Sequence, residues 1–274
     1  MEKLKPHRIP SNLAAVTAAF DSYAVTYDAS FDSSVITQRL RRKIYGIVEE
    51  LVPRSGSILD INCGTGTDAC YFASRGYKVT GIDISPKMIE QAKAKGSGMK
   101  NVRFRTASFQ SSSPTVEGKY DLILSNFGGL NCVPTLDIVA NRIAQLTNPN
   151  GRVVAVLMPP FCAWEVLAGL ARFDLRFAFR RLKKHSMASG FAGESFQMFY
   201  HSLSDVQAAF APDFTMKHIE GMCVFSPPPQ ATNFVRRFPR LSVALSHLDD
   251  LVSMLPWFSS IGDHYVVTLQ KHLS

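Results

Sequence analysis

From position 57 to position 158 the chain alternates short β-branched apolar runs with longer runs whose apolar residues recur every three or four positions. That is the pattern of a parallel sheet covered by helices: strands buried on both faces read as continuous apolar runs, and crossover helices keep one polar face. Five strands are predicted, at 57–61, 78–83, 102–106, 120–125 and 152–158, with helices at 68–75, 86–95 and 135–147. Ser85 suits the N-cap of the second helix and Pro86 its first position, while Gly76 and Gly96 close two of the helices. Upstream, 12–27 and 33–51 have helical spacing and should lie over the sheet. Downstream, 217–225 and 265–269 alternate like strands of an antiparallel edge, separated by a helical stretch at 231–255.

The 274 residues, 46% hydrophobic and 19% charged, fit one soluble domain with a sizeable core. Residues 1–15 lack the apolar run of a secretory leader, and no window approaches the roughly 18 apolar residues of a membrane span, so a cytoplasmic protein is expected. The five cysteines are scattered and form no CxxC pair, which leaves neither a disulfide framework nor a metal site to expect. The net charge of +8 is clustered: six basic residues and one acid lie in 172–184, with smaller groups at 39–43 and 236–240. Such clusters are either solvated helix faces or contacts with an anionic partner.

The segment ILDINCGTGTDA at 58–69 places a strand ending in Asp60, then Asn62, Gly64 and Gly66, then a helix start. Free backbone N–H groups at such a helix start favour an anion, either a pyrophosphate or an amino-acid carboxylate. Gly64-Thr65-Gly66-Thr67-Asp68-Ala69 also satisfies the G-x-G-x-x-A dinucleotide pattern, with Asp83 placed 23 residues after Asp60. Asp60 separates the two readings, because a carboxylate beside the loop repels a pyrophosphate and attracts the ammonium of a methionyl group.

LDINCGTG followed by VTGIDISPKMI resembles motifs I and II of class I S-adenosylmethionine-dependent methyltransferases, and FDSYAVTYD is similar to the N-terminal cover helix of many of them. The resemblance implies a Rossmann-like, mostly parallel seven-stranded sheet with helices on both faces, and a single domain. Its parts would be N-terminal cover helices at 1–54, a cofactor-binding core at 55–158, a helical and aromatic lid at 159–213, and C-terminal strands with an inserted helix at 214–274. It implies S-adenosylmethionine as cofactor. Asp60, Asn62, Cys63, Gly64 and Gly66 would hold the methionyl end, Asp83 the ribose hydroxyls, and Ile84 and Met88 would flank the adenine. The third motif, at 106–109, lacks the acid many relatives carry, so Ser108 and Phe109 are taken there instead. Asparagine at Asn62, where most relatives have glycine, is tolerable because it enters left-handed backbone conformations.

Ligands of open parallel sheets bind beyond the carboxyl ends of the strands. There the fourth strand ends in Ser125-Asn126-Phe127-Gly128-Gly129-Leu130-Asn131, whose glycines permit close approach and whose Asn126 and Asn131 offer amides. Ser125 and Asn126 are taken as bordering the cofactor. The segment 159–201 carries Phe161, Trp164, Phe191, Phe196, Phe199 and Tyr200, the makings of an apolar acceptor pocket. Three candidates for catalysis stand out: His264, beside Asp263 at the start of the last strand, Tyr27 and Asn126. The expected activity is methyl transfer to a small apolar or aromatic metabolite, at oxygen. The alternatives are RNA or a membrane lipid met through the basic segments, or a non-catalytic cofactor-binding partner protein.

Overall fold

The computed structural model describes residues 11–32, 34–109, 116–191 and 193–273. Two helices lead in, α1 (Ser11–Tyr23) and α2 (Val35–Leu51), joined through a π-helical turn at Asp28–Asp32. The core then alternates strand and helix: β1 (Ser57–Ile61), α3 (Thr67–Ser74), β2 (Lys78–Asp83), α4 (Pro86–Lys95), β3 (Val102–Thr106), β4 (Tyr120–Ser125), α5 (Asp137–Leu146) and β5 (Thr147–Leu157). Next come α6 (Ala163–Ala171), the single turn α7 (Leu175–Ala178), β6 (His185–Phe191), β7 (Glu194–Phe199) and α8 (Leu203–Phe210). The chain closes with β8 (Phe214–Met222), α9 (Thr232–Arg237), α10 (Pro239–Val252) and β9 (His264–Lys271).

Seven strands form one sheet in the order β3-β2-β1-β4-β5-β9-β8, parallel except for β9, which runs antiparallel to both β5 and β8. From β1 the chain winds outward to β2 and β3, then returns to β4 on the other side of β1. That reversal opens a crevice at the carboxyl ends of β1 and β4. The pleat sends alternate side chains to opposite faces. Leu59, Ile61, Ile123, Val153 and Ala155 join α5 and α8 in one apolar core, and Ile58, Leu122, Leu124, Val154 and Val156 join α2 and α3 in the other.

The first four predicted strands coincide with the observed ones; the fifth begins earlier, at Thr147, before a register shift between Tyr120 and Leu122 of its neighbour. The helix expected over 12–27 ends at Tyr23. The helix expected over 231–255 is two helices, broken at Phe238 where Pro239 opens α10; proline lacks the N–H that a continuous helix needs. The segment expected as a helical lid carries, besides its helices, an antiparallel hairpin of β6 and β7 turned at Gly193, with φ +92°. This hairpin packs on α1, where Asn12 imitates a strand: its Oδ1 accepts from the Gln197 N–H at 2.7 Å and its amide donates to the Gln197 carbonyl at 3.0 Å. Among the described residues no helix is long and apolar enough to cross a membrane.

Candidate active site

A cavity of about 650 Å³ occupies the crevice. Its floor is the loop from β1 to α3. Asn62, Gly64 and Gly66 all take left-handed backbone, at φ +59°, +53° and +77°. At Gly66 an added Cβ would also meet the Phe104 ring at 2.8 Å and the Ala92 Cβ at 2.9 Å, so glycine there is required by packing as well as by conformation. Around Gly64 nothing lies within 4 Å of such an atom, leaving the backbone open to a ligand.

Asp83 ends β2 at the cavity edge, where one oxygen accepts from the Gly64 N–H and the other from the Ser85 N–H, each at 2.9 Å. Each oxygen keeps a second lone pair. Burial raises its pKa against those hydrogen bonds. Asp60 stands behind the wall, almost wholly buried, and its Oδ2 has no hydrogen-bond partner among the described residues. Burial, then the charge of Asp68, pushes its carboxyl well above the usual range, with Arg41 pulling the other way. An unsatisfied buried carboxylate oxygen is the partner that an ammonium group would complete.

Of the other predicted cofactor residues, Asn62, Cys63, Gly64, Ile84, Met88, Ser108, Phe109 and Asn126 line the cavity, whereas Gly66 and Ser125 support it from behind. Cys63 is buried and its thiol is pushed well up by that burial, so it packs as a small apolar group. Asn126 is committed at both ends of its amide: Nδ2 donates to Asp68 Oδ2 and Oδ1 accepts from the Phe127 N–H, each at 2.9 Å. Asn131 does not offer its amide to the cavity as expected. It is fully buried, donating to the Met158 and Phe199 carbonyls and accepting from the Met158 N–H, and so ties the hairpin to the end of β5.

Tyr27 lines the cavity within a run of aromatic contacts from Tyr23 through Tyr27 and Phe31 to Phe127, with centroids 5.5, 5.4 and 5.0 Å apart. The segment is pinned over the glycine loop, because Thr65 donates to Asp28 Oδ1 at 2.5 Å and Lys95 pairs with Asp28 Oδ2 at 2.7 Å. Of the aromatics noted in 159–201, Trp164, Phe196 and Tyr200 line the cavity, and Phe161 and Phe199 do not. The side chain of Phe191 lies outside the described residues.

At the roof the antiparallel start of β9 brings Asp263 to the cavity. His264 does not line the cavity: its Nδ1 is 2.8 Å from Asp263 Oδ2 without hydrogen-bond alignment, and its ring lies 6.5 Å from that of Phe127, which does line it. Asp263 also accepts from Arg181, whose guanidinium bonds Glu165 as well, each contact at 2.6 Å. Burial would raise the Asp263 pKa, yet His264 and Arg181 hold it well below the usual range. Cys162, Glu165 and Asp263 come within 4.8 Å of one another, a grouping of the kind metal ligands make, but Arg181 already occupies both carboxylates. Burial pushes the Cys162 thiol up to about 12.

Sequence reading singled out neither Asp68 nor Arg41. Asp68 lies in the first turn of α3, accepts from Tyr45 at 2.7 Å and from Arg41, and with Asn126 braces the wall below Phe127. Its position just after the glycine loop was a visible signal; that of Arg41, within a basic cluster on α2, was not.

Seven strands in this order around such a loop define the class I methyltransferase fold, and residues 58–151 match the methyltransferase domain family. Residues 58–151 are thus similar to a methyltransferase domain, set within a fold of the class I methyltransferase type. The chain is 29% identical over 158 residues to the demethylmenaquinone methyltransferase of Beutenbergia cavernae, covering 56% of this chain and 63% of that one. To a malonyl-[acyl-carrier protein] O-methyltransferase of Ilyobacter polytropus it is 31% identical over 121 residues, 43% of this chain and 40% of that one. The chain thus matches under two thirds of the length of these curated relatives. The structure of DhpI in its SAH complex superposes with TM-score 0.58 at 14% identity, covering 95% of this chain and 97% of that one. A SAM-dependent methyltransferase of Methanosarcina mazei gives 0.58 at 18% identity, over 84% and 99%. At these identities the likeness to solved structures is one of fold.

Proposed function

We propose that the chain is an S-adenosylmethionine-dependent methyltransferase acting at an oxygen atom of a small, largely apolar acceptor. The observation that carries this is the continuity of one cavity from the Gly64 and Asp83 floor to the Trp164, Phe196, Met198 and Tyr200 wall. Cofactor and acceptor sites thereby share one space, as direct transfer requires. The names of the curated relatives, methyltransferases of a quinone and of a carrier-bound acyl group, support a non-nucleic-acid acceptor.

When bound, S-adenosylmethionine supplies an activated methyl group. The chain's part is to bind, align and exclude water. The Asn62–Gly66 loop leaves the open backbone face at Gly64 to the methionyl end, its Cys63, Gly64 and Gly66 N–H groups being engaged by Ile82, Asp83 and Cys63; Asp60 would offer a buried oxygen to an ammonium, and Asp83 its remaining lone pairs to ribose hydroxyls. Tyr27 and Phe127 close the space between floor and roof. His264 serves as a positioning residue that holds Asp263, since its own ring does not border the cavity. Incubating the chain with methyl-tritiated cofactor, in parallel with metabolite extracts and with total RNA and protein, tests the reading: label in an organic-soluble small molecule is expected, and label confined to RNA or protein would overturn it.

A further inference from the structure

Helix α6 reads AWEVLAGLA, and its one charged side chain, Glu165, is buried against Arg180 and Arg181. One face, with Trp164 and Ala168, lines the cavity. The other presents Leu167 and Leu170 to solvent, 65% and 46% exposed. A helix apolar all round is ordinarily covered on all sides. The exposed strip continues through Phe173, 95% exposed, Leu175, Phe179 and Leu182. Phe173 sits at this tip in left-handed backbone, φ +56°, a conformation disfavoured for a bulky aromatic residue.

Arg172, Arg176 and Lys183 are interspersed with these apolar side chains and exposed, and among the described residues no acid lies within ion-pair distance of them. Asp174, the one acid of the strip, is exposed among them and is engaged as the N-cap of α7, accepting from the Phe177 N–H at 2.9 Å, so cations outnumber it on this surface. Arg172 is exposed and lines the cavity at once, so the cavity opens within this strip.

We propose that the α6–α7 strip seats the protein on an anionic bilayer surface, with the mouth of the cavity at the seat. Apolar tips among unpaired cations match the boundary between acyl chains and anionic headgroups. A second copy of a chain of charge +8, meeting through this same basic strip, would face like charge. Nucleic acid would leave Leu167, Leu170, Leu175 and Leu182 without an apolar partner. Only the corollary, that the acceptor enters from the bilayer, rests on the methyl-transfer reading.

Sedimentation of the full chain with vesicles tests the proposal, with calorimetric cofactor binding measured alongside so that failure of either reading is seen separately. Vesicles of equal parts phosphatidylcholine and phosphatidylglycerol should carry the protein down, phosphatidylcholine alone at least tenfold less, and added salt should weaken binding. Phe173→Asp with Leu175→Asp should lower partitioning at least tenfold while cofactor affinity is unchanged; Phe173→Leu should retain binding. Absence of sedimentation with anionic vesicles, or unchanged sedimentation of the double variant, overturns the proposal. So does a concentration-dependent dimer, or salt-sensitive RNA binding, that the same variant abolishes when vesicles are not bound.

Discussion

Asp83 borders the cavity and Asp60 stands behind its wall, and the two carboxyls have different needs. Asp83 has both oxygens engaged by backbone N–H groups, whereas Asp60 keeps an unpaired Oδ2 in a site that disfavours its charge. Asp60→Asn and Asp83→Asn should each weaken S-adenosylmethionine binding about tenfold or more, the scale of a charge-assisted hydrogen bond, as read by calorimetry on variants with unchanged circular dichroism. Asp60 also predicts a proton. Its pKa is raised in the free protein by burial and by Asp68, and an ammonium partner lowers it, so binding should release protons and tighten as pH rises through the raised value. Titrations in buffers of different ionisation enthalpy would detect the release; proton uptake would reverse the assignment. For His264 the expectation is modest. As a positioning residue beside Phe127, its replacement by asparagine should reduce kcat less than about tenfold, against the 100- to 10,000-fold span of a lost general base.

Among the elements, the β1–α3 unit is the most constrained. Gly66→Ala meets Phe104 and Ala92 below 3.0 Å in left-handed backbone and should cost about 1–3 kcal/mol in thermal unfolding. Gly64→Ala, strained in backbone only, should lower stability less and cofactor affinity more. The core was legible in the sequence because its signals are local: β-branched runs made β1 to β4, Ser85 and Pro86 start α4, and Asp60 stood beside the glycines. The segment after β5 was not. Its hairpin is decided by the distant Asn12 side chain and the α1 surface, contacts that no local period records. The break in the last helix was legible in Pro239, inside an otherwise continuous helical pattern. Asn131 looked like a loop amide offered to a ligand, and only the approach of Met158 and Phe199 makes it structural.

Across the whole molecule, the roof joins the segment after β5 to the sheet through Arg181, which ties Glu165 of α6 to Asp263 before β9. Arg181→Met should leave the buried Asp263 without its guanidinium and Glu165 with Arg180 alone, and cost about 3 kcal/mol in denaturant unfolding. The pH dependence follows from the same ties. Burial raises Glu165 and Asp263, but their cationic partners leave both pKa values below those of the unfolded chain. Their contribution is therefore present above the ordinary carboxylate range and is lost as pH falls through the lowered folded values; thermal unfolding between neutral and acid pH should show that loss, and Arg181→Met should flatten it. The central claim is that the cavity floor takes a methionyl cofactor and not a dinucleotide, which otherwise fits Gly64-Thr65-Gly66. Calorimetric titration of the full chain with S-adenosylmethionine, and separately with NAD, decides it: saturable one-to-one binding of S-adenosylmethionine with none of NAD is predicted, and saturable binding of NAD with none of S-adenosylmethionine would contradict the account.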